Sequence, residues 1–243
     1  MKKNFIKLTT LLLSVLLLFT ATACGKDKGK SQPVGYNEGQ KYTYQGTHEY
    51  NVEETENPFV VNGKTDYVLV VPAKKSAVML NAMEEFAYFF KMATNININT
   101  VSDNELDVTS HQAGTKYISL GKTTLLESTG MTAEYSVLGR DGFRIVTKDT
   151  NVYLFGVYDE SARFSVYGFM RIYFNYQPYT VNTWKIDENV KNLNFKKLDV
   201  TDIPDFSYRR STGGSMNPYS VLNTTKSTLQ EEWVLKIICT QAL

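Results

Sequence analysis

"DYVLVVPAKKSAVMLNAMEEFAYFFKMAT", Asp66 to Thr94, is the stretch on which the fold turns. Tyr67 to Val71 is apolar at every position, as a central strand buried on both faces would be, and Pro72 ends the run. Ser76 can cap a helix over Ala77 to Met92, in which Met79, Ala82, Met83, Phe86 and Phe90 recur at helical spacing as one broad stripe. Glu84 and Glu85 fall off that stripe. As neighbours on a helix they point about 100° apart, so they cannot serve as paired catalytic carboxylates, and a solvated face is the expectation for both.

Reading outward, residues 34–58 are polar and supply at best an edge strand, Thr47 to Val52. Phe59 to Val61, Asn62-Gly63 and Tyr67 to Val71 read as a hairpin with a type I′ turn, because Asn-Gly tolerates the positive φ that turn requires. Downstream, Ile96 and Ile98 alternate in a strand over Asn95 to Val101, and Tyr117 to Leu120 is a further strand, followed by a short helix from Thr123 to Ser128. Gly142 to Thr147 and Val152 to Val157 flank Lys148-Asp149-Thr150-Asn151 as a second hairpin. Asp159 can cap a helix from Glu160 to about Tyr173, with Ala162, Val166, Phe169 and Tyr173 facing inward. Tyr176 to Phe195 reads as loop with short strands around Trp184, and a second punctuation falls at Asp199 to Pro204. The order β-β-α-β-β-α-β-β-α predicts an α/β fold of the α+β sandwich kind, a mixed β-sheet with two long helices mainly on one face.

One motif inside this frame points to nucleotide. In "KYISLGKTTLLES", Lys116 to Ser128, the triplet Gly121-Lys122-Thr123 sits between a strand and a helix, where a phosphate-binding loop would sit. Such a loop also needs a glycine five residues before the Gly-Lys pair, so that successive N–H groups wrap the phosphates. That place is Lys116, inside the strand, and Gly114 lies too far back. Gly121 is therefore read as a glycine terminating a strand before a helix, and no nucleotide partner is expected.

The net charge is +1 with acids and bases interleaved, which excludes a nucleic-acid footprint. Cys24 and Cys239 are the two cysteines, and the two histidines, His48 and His111, have no neighbouring ligand at metal spacing. No cofactor or metal is expected, and both histidines are read as surface residues. With 16 Tyr and 13 Phe, the aromatic content suits a β-rich core first and carbohydrate contact second.

The N-terminus speaks to compartment. Lys2, Lys3 and Lys7 precede an apolar run, Leu11 to Phe19, too short to span a bilayer well, and Ala21-Thr22-Ala23 places small residues before Cys24. This resembles a bacterial lipoprotein signal, which implies a diacylated Cys24 as the first residue of the mature chain and a membrane-anchored location at the bacterial cell surface. Ala21 stands where the family usually has Leu, and an ordinary secretory signal with a chance cysteine is the alternative. The expected division is a signal peptide over 1–23, a polar tether over 24–45 containing "KDKGKSQP", a folded domain over 46–198, and a linker leading into a further segment over 199–243.

The ordered set "DYVLVVP", "AVMLNAMEEFAYFFKMAT", "INTVS", "YISLGKTT", "DGFRIVTKDTNVYLFG" and "YGFMRIYF" resembles the non-catalytic N-terminal domain of α-glucuronidases and β-hexosaminidases, over roughly 59–210. It looks most like the version in bacterial lipoproteins that join this domain to a glycosidase-like (β/α)₈ barrel. "DIPDFSYRR", Asp202 to Arg210, resembles the start of the β-hexosaminidase barrel, where the matching arginine bonds sugar hydroxyls. The resemblance thus implies substrate contact for Arg209, while departures from the family pattern beside it favour an ion pair at a domain junction. Arg210 replaces the family's glycine, and Ser211 to Ser215 follows where an acidic residue and a second arginine are expected.

A (β/α)₈ barrel takes about 250 residues, and the chain reaches only Leu243. Beyond Arg210 its acids are Glu231 and Glu232, adjacent on an apparent helix over Leu229 to Ile238, and adjacent glutamates cannot flank a glycosidic bond. The expectation is a truncated or frameshifted reading with no catalytic residue of its own: the accessory domain of a surface glycoside hydrolase-like lipoprotein, its partners the membrane and a polysaccharide or glycan. Asp202 and Asp205 are read as connector residues without a pocket. The alternative is a self-sufficient carbohydrate-binding or adhesive lipoprotein, for which Tyr176, Tyr179 and Trp184 are the candidate sugar platforms.

Overall fold

Asp66 to Thr94 folds as its pattern predicts. In a computed structural model that describes residues 46–106, 116–180 and 183–205, strand β2 (Tyr67–Val71) is followed by helix α1 (Ala77–Thr94). Ser76 Oγ accepts the Met79 N–H at 3.1 Å, satisfying one of the donors that the first helical turn leaves open. The helix runs past Met92, and Asn95, at φ 61°, ends it by donating its N–H to the Lys91 carbonyl. The alternation of Ile96 and Ile98 therefore belongs to a connector, and strand β3 covers only Asn99–Ser102.

Strand β4 (Lys116–Leu120) lies parallel to β2, and β2 lies parallel to β3. Gly121 closes β4 at φ 77°, and a Cβ there would stand 2.4 Å from Met79 Cε. The Gly121 N–H donates to the Leu154 carbonyl at 2.8 Å, so it extends the ladder. Thr123 caps helix α2 (Thr124–Ser128) by accepting the Leu126 N–H, and Lys122 is exposed. Helix α3 (Tyr135–Leu138) leads to strands β5 (Phe143–Lys148) and β6 (Asn151–Gly156), an antiparallel hairpin closed at Lys148↔Asn151 with Asp149 at φ 56°.

Helix α4 (Asp159–Phe174) follows. Its N-cap is Tyr158, whose N–H donates to Ser161 Oγ at 3.0 Å. Asp159, the expected cap, instead accepts from Ser76 Oγ and ties the starts of the two long helices together. Gly168 lets α4 lie close on the sheet, because a Cβ would stand 2.9 Å from Ile145 Cδ1. Strands β7 (Gln177–Thr180) and β8 (Thr183–Lys185) form a small separate hairpin.

Two strand assignments depart from the sequence reading. Strand β1 runs Thr47–Val60, well beyond Val52, and strand β9 (Leu193–Ile203) continues through Asp199, where a punctuation was expected. Asn62 and Gly63 do form the positive-φ turn, bridged between Val61 and Lys64, but β1 and β2 are not hairpin partners. The order in the seven-stranded sheet is β1-β9-β5-β6-β4-β2-β3, so β1 lies at one edge, antiparallel to β9, and β2 near the other. The physical reason is burial on both faces: β2 needs helices on one side and a second core on the other, which only an inner position supplies. β1, with Glu49, Glu53, Glu54 and Glu56, is suited to an edge.

Side chains on the two faces of the sheet enter different cores. Leu69, Val71, Ile118, Leu120, Val152 and Leu154 pack under α1 and α4, which cover that face as expected. Val70, Tyr153 and Phe155 pack under α2 and α3. Cys24, His111, Arg209, Arg210, Glu231, Glu232 and Cys239 lie outside the described residues.

Candidate functional site

The two long helices meet over a buried ion pair. Glu85 on α1 receives Arg163 Nε at 2.8 Å and Arg163 Nη2 at 2.7 Å, a planar fork on both carboxylate oxygens. Tyr167, one helical turn beyond Arg163, donates its hydroxyl to Glu85 Oε2 at 2.5 Å. Arg163 is only 5% exposed. Burial first, then the Glu85 charge, pushes the Tyr167 hydroxyl well above its ordinary pKa, against the opposing pull of Arg163. Glu85 was expected on a solvated face. It is instead held at the helix–helix seam, because α4 brings a buried arginine to it; Glu84, beside it, is exposed as expected.

Above this floor opens a cleft of about 360 Å³ between α1 and the β7–β8 hairpin. Its rim carries Asn81, Glu84 and Tyr88 of α1, and its wall is Phe89 and Trp184. The Trp184 ring meets Phe89 at 5.7 Å and Tyr88 at 6.2 Å, nearly perpendicular to each, and its Nε1–H donates to Met92 Sδ at 3.3 Å. Of the expected sugar platforms, Trp184 alone lines this cleft. Tyr176 is fully buried, packed 4.6 Å from Phe89, and cannot be a platform, while Tyr179 is 53% exposed on β7. Tyr88 was missed because it sits off the apolar stripe of α1. The available signal was an aromatic on the polar face of an amphipathic helix.

A second polar cluster lies where β1 meets β9. His48 Nδ1 is 3.1 Å from Asp202 Oδ1, His48 Nε2 is 3.5 Å from Asp205 Oδ2, and Tyr50 donates its hydroxyl to Asp202. Asp202 is therefore no connector residue: it is 5% exposed on β9, paired with Phe143 across the sheet. Burial lowers the pKa of the nearby Arg171 guanidinium, against the opposing pull of Tyr50 and Asp202. A third carboxylate, Asp103, accepts the backbone N–H groups of Ala73 and Thr124 at 2.8 and 2.9 Å, joining the end of β2 to the start of α2. Among the described residues, no three His, Cys, Asp or Glu side chains group as metal ligands.

No protein-family model and no curated protein matches the sequence. Solved structures align with part of the fold. CpGH84D aligns at TM-score 0.42 and 12% identity, covering 65% of this chain and 23% of its own. The GH20 β-N-acetylhexosaminidase from Streptomyces coelicolor A3(2) aligns at TM-score 0.39 and 14% identity over 65% of this chain and 26% of its own. The chitobiase of Flavobacterium johnsoniae aligns at TM-score 0.36 and 10% identity over 70% and 23%. The chain spans 23% to 26% of the length of these proteins.

Proposed function

We propose that this chain is the accessory, non-catalytic domain of a cell-surface glycoside hydrolase-like lipoprotein that works in carbohydrate metabolism. One observation carries the reading. The segments that resemble such a domain fall on β2, α1, the connector and β3, β4, the β5–β6 hairpin and α4, which together build one continuous stretch of the sheet and the pair of long helices that covers one of its faces. The carboxylates agree with it. Glu85 is closed by Arg163 and Tyr167, Asp202 by His48 and Tyr50, and Asp103 by two backbone donors. A glycosidase needs two carboxyl groups facing each other across a bond, about 5–5.5 Å or 6.5–9.5 Å apart, with room for sugar between them. These three are committed inside the fold.

Diacylation of Cys24 would hold the domain at the membrane, because two acyl chains anchor stably where one is marginal. For Arg209 the reading is an ion pair at the domain junction, with contact to a sugar hydroxyl as the alternative. The purified chain, assayed on aryl glucuronides, aryl hexosaminides and a glycan panel, should show no turnover. Turnover abolished by Glu84→Gln or Asp205→Asn would overturn the accessory reading. Cys24→Ala should leave an unprocessed precursor or release the protein from the membrane fraction, and wild-type protein unlabelled by a palmitate analogue would refute the anchor. Reading the downstream DNA in all frames for a barrel-like protein tests the partnership.

A further inference from the structure

We infer that the cleft between α1 and the β7–β8 hairpin is a saccharide-binding subsite, in which a sugar ring lies on the Tyr88–Trp184 corner and its hydroxyls bond Asn81 and Glu84. The volume, about 360 Å³, is that of a small-ligand site, and the lining is of the usual kind, aromatic walls with a few placed polar groups. Three features decide the ligand's chemistry.

The first is unclaimed polarity. Asn81, Glu84 and Tyr88 stand at i, i+3 and i+7 on α1, so they share its outward face. The side chains of Asn81 and Glu84 make no hydrogen bond or ion pair among the described residues. The amide offers donors and an acceptor, and the carboxylate offers acceptors only, which together suit a ligand dense in hydroxyl groups.

The second is the aromatic corner. Tyr88 is 51% exposed, while Phe86, Phe89 and Phe90 beside it are buried. Trp184 spends its Nε1–H on Met92 Sδ, so what it presents to a ligand is ring carbon. Ring carbon favours the C–H face of a sugar, which is the apolar side of an otherwise polar molecule. The third is charge. The Arg163 guanidinium is engaged by Glu85, and Lys is absent from the lining, so nothing in the cleft selects an anionic ligand. The locked Glu85–Arg163–Tyr167 floor cannot collapse into the cleft without breaking its own bonds, and the site is thereby preorganised.

This inference deepens the accessory-domain reading by naming a ligand class, and it rests on that reading for the presence of carbohydrate near the protein. The two fail separately, since turnover or missing lipidation bears on the first and loss of binding on the second. The test titrates the full chain with neutral oligosaccharides of glucose, xylose and N-acetylglucosamine, followed by calorimetry and tryptophan fluorescence. A Kd of roughly 1 mM or tighter is expected for at least one of them, weakened about tenfold or more by Tyr88→Ala and by Asn81→Ala. Both positions are exposed on α1, so circular dichroism should show both variants folded; Trp184→Ala, which touches the hairpin core, is a secondary variant. Absence of binding to all three series would overturn the inference, as would binding that Tyr88→Ala leaves unchanged. Tetramethylammonium binding that depends on Glu84 and Tyr88, with no sugar binding, would assign the cleft to organic cations and refute it equally.

Discussion

On the face covered by α1 and α4, the core is a continuous set of rings: Phe169 lies 5.3 Å from Phe86 and 4.6 Å from Tyr173, and Phe59 lies 4.8 Å from Tyr173. On the opposite face, α2 and α3 cover a smaller cluster in which Tyr135 meets Phe155 at 6.0 Å among Leu125, Leu126 and Leu138. Long helices cross several strands and leave broad gaps that large flat side chains fill. Short helices cap the sheet locally and need mostly aliphatic residues. Among polar groups, the face under α1 and α4 pairs a buried charge, Arg163 on Glu85, and the opposite face buries the Tyr135 hydroxyl with no hydrogen-bond partner among the described residues.

If that contrast is right, the largest loss should come from the ring-packed face. Phe169→Ala should cost about 3–5 kcal/mol by chemical denaturation, because the rings around it cannot close the cavity. Phe155→Ala should fall at or below the low end of that range, and equal losses would mean the two cores are packed alike. Next in size is the seam between the long helices. Arg163→Ala takes the bidentate partner from the Glu85 carboxylate, to which Tyr167 still donates, and should cost about 2–3 kcal/mol, less than a fully dry pair since Glu85 keeps 17% exposure. A double-mutant cycle with Glu85→Gln should recover part of that loss; strict additivity would show that the pair is not coupled.

Alkali should act on both faces. Burial is the first cause of raised pKa values for Tyr67, Tyr167 and Tyr173 on the helix face and for Tyr135 and Tyr153 on the other, all from an ordinary value of 10.0. Each keeps its proton in the folded chain after the unfolded chain has lost it. These hydroxyls therefore leave stability unchanged well below pH 10 and lower it as pH rises beyond, by at most about 1.4 kcal/mol per pH unit for each tyrosine. Urea midpoints that stay flat between about pH 10 and 11 would contradict the burial of these hydroxyls. The smallest effect has the opposite sign. Tyr135→Phe removes a buried hydroxyl without a described partner and should raise stability by about 1 kcal/mol at neutral pH. It should also lessen the alkaline decline. A loss of stability instead would reveal that the hydroxyl is satisfied.

What the amino-acid sequence determined by itself is local. Ser76 capping α1, the turn residues Asn62-Gly63 and Asp149-Thr150, Gly121 at the end of β4 and the inward stripe of α4 all act within a few residues, so their signals are contiguous and readable. Even there, an αL asparagine three residues past the expected helix end moved β3 away from Ile96 and Ile98. Only the tertiary structure decided what meets across the chain. The pairing of β1 with β9 joins Tyr50 to Val200, and the β5–β9 ladder joins Phe143 to Asp202. No short-range pattern marks such partners, because any strand edge offers the same N–H and C=O groups to any other. The candidate cleft is nonlocal for the same reason. Glu85, Tyr88, Arg163 and Trp184 become one site only when α4 and the β7–β8 hairpin pack on α1, and their residue types alone carried no instruction to meet.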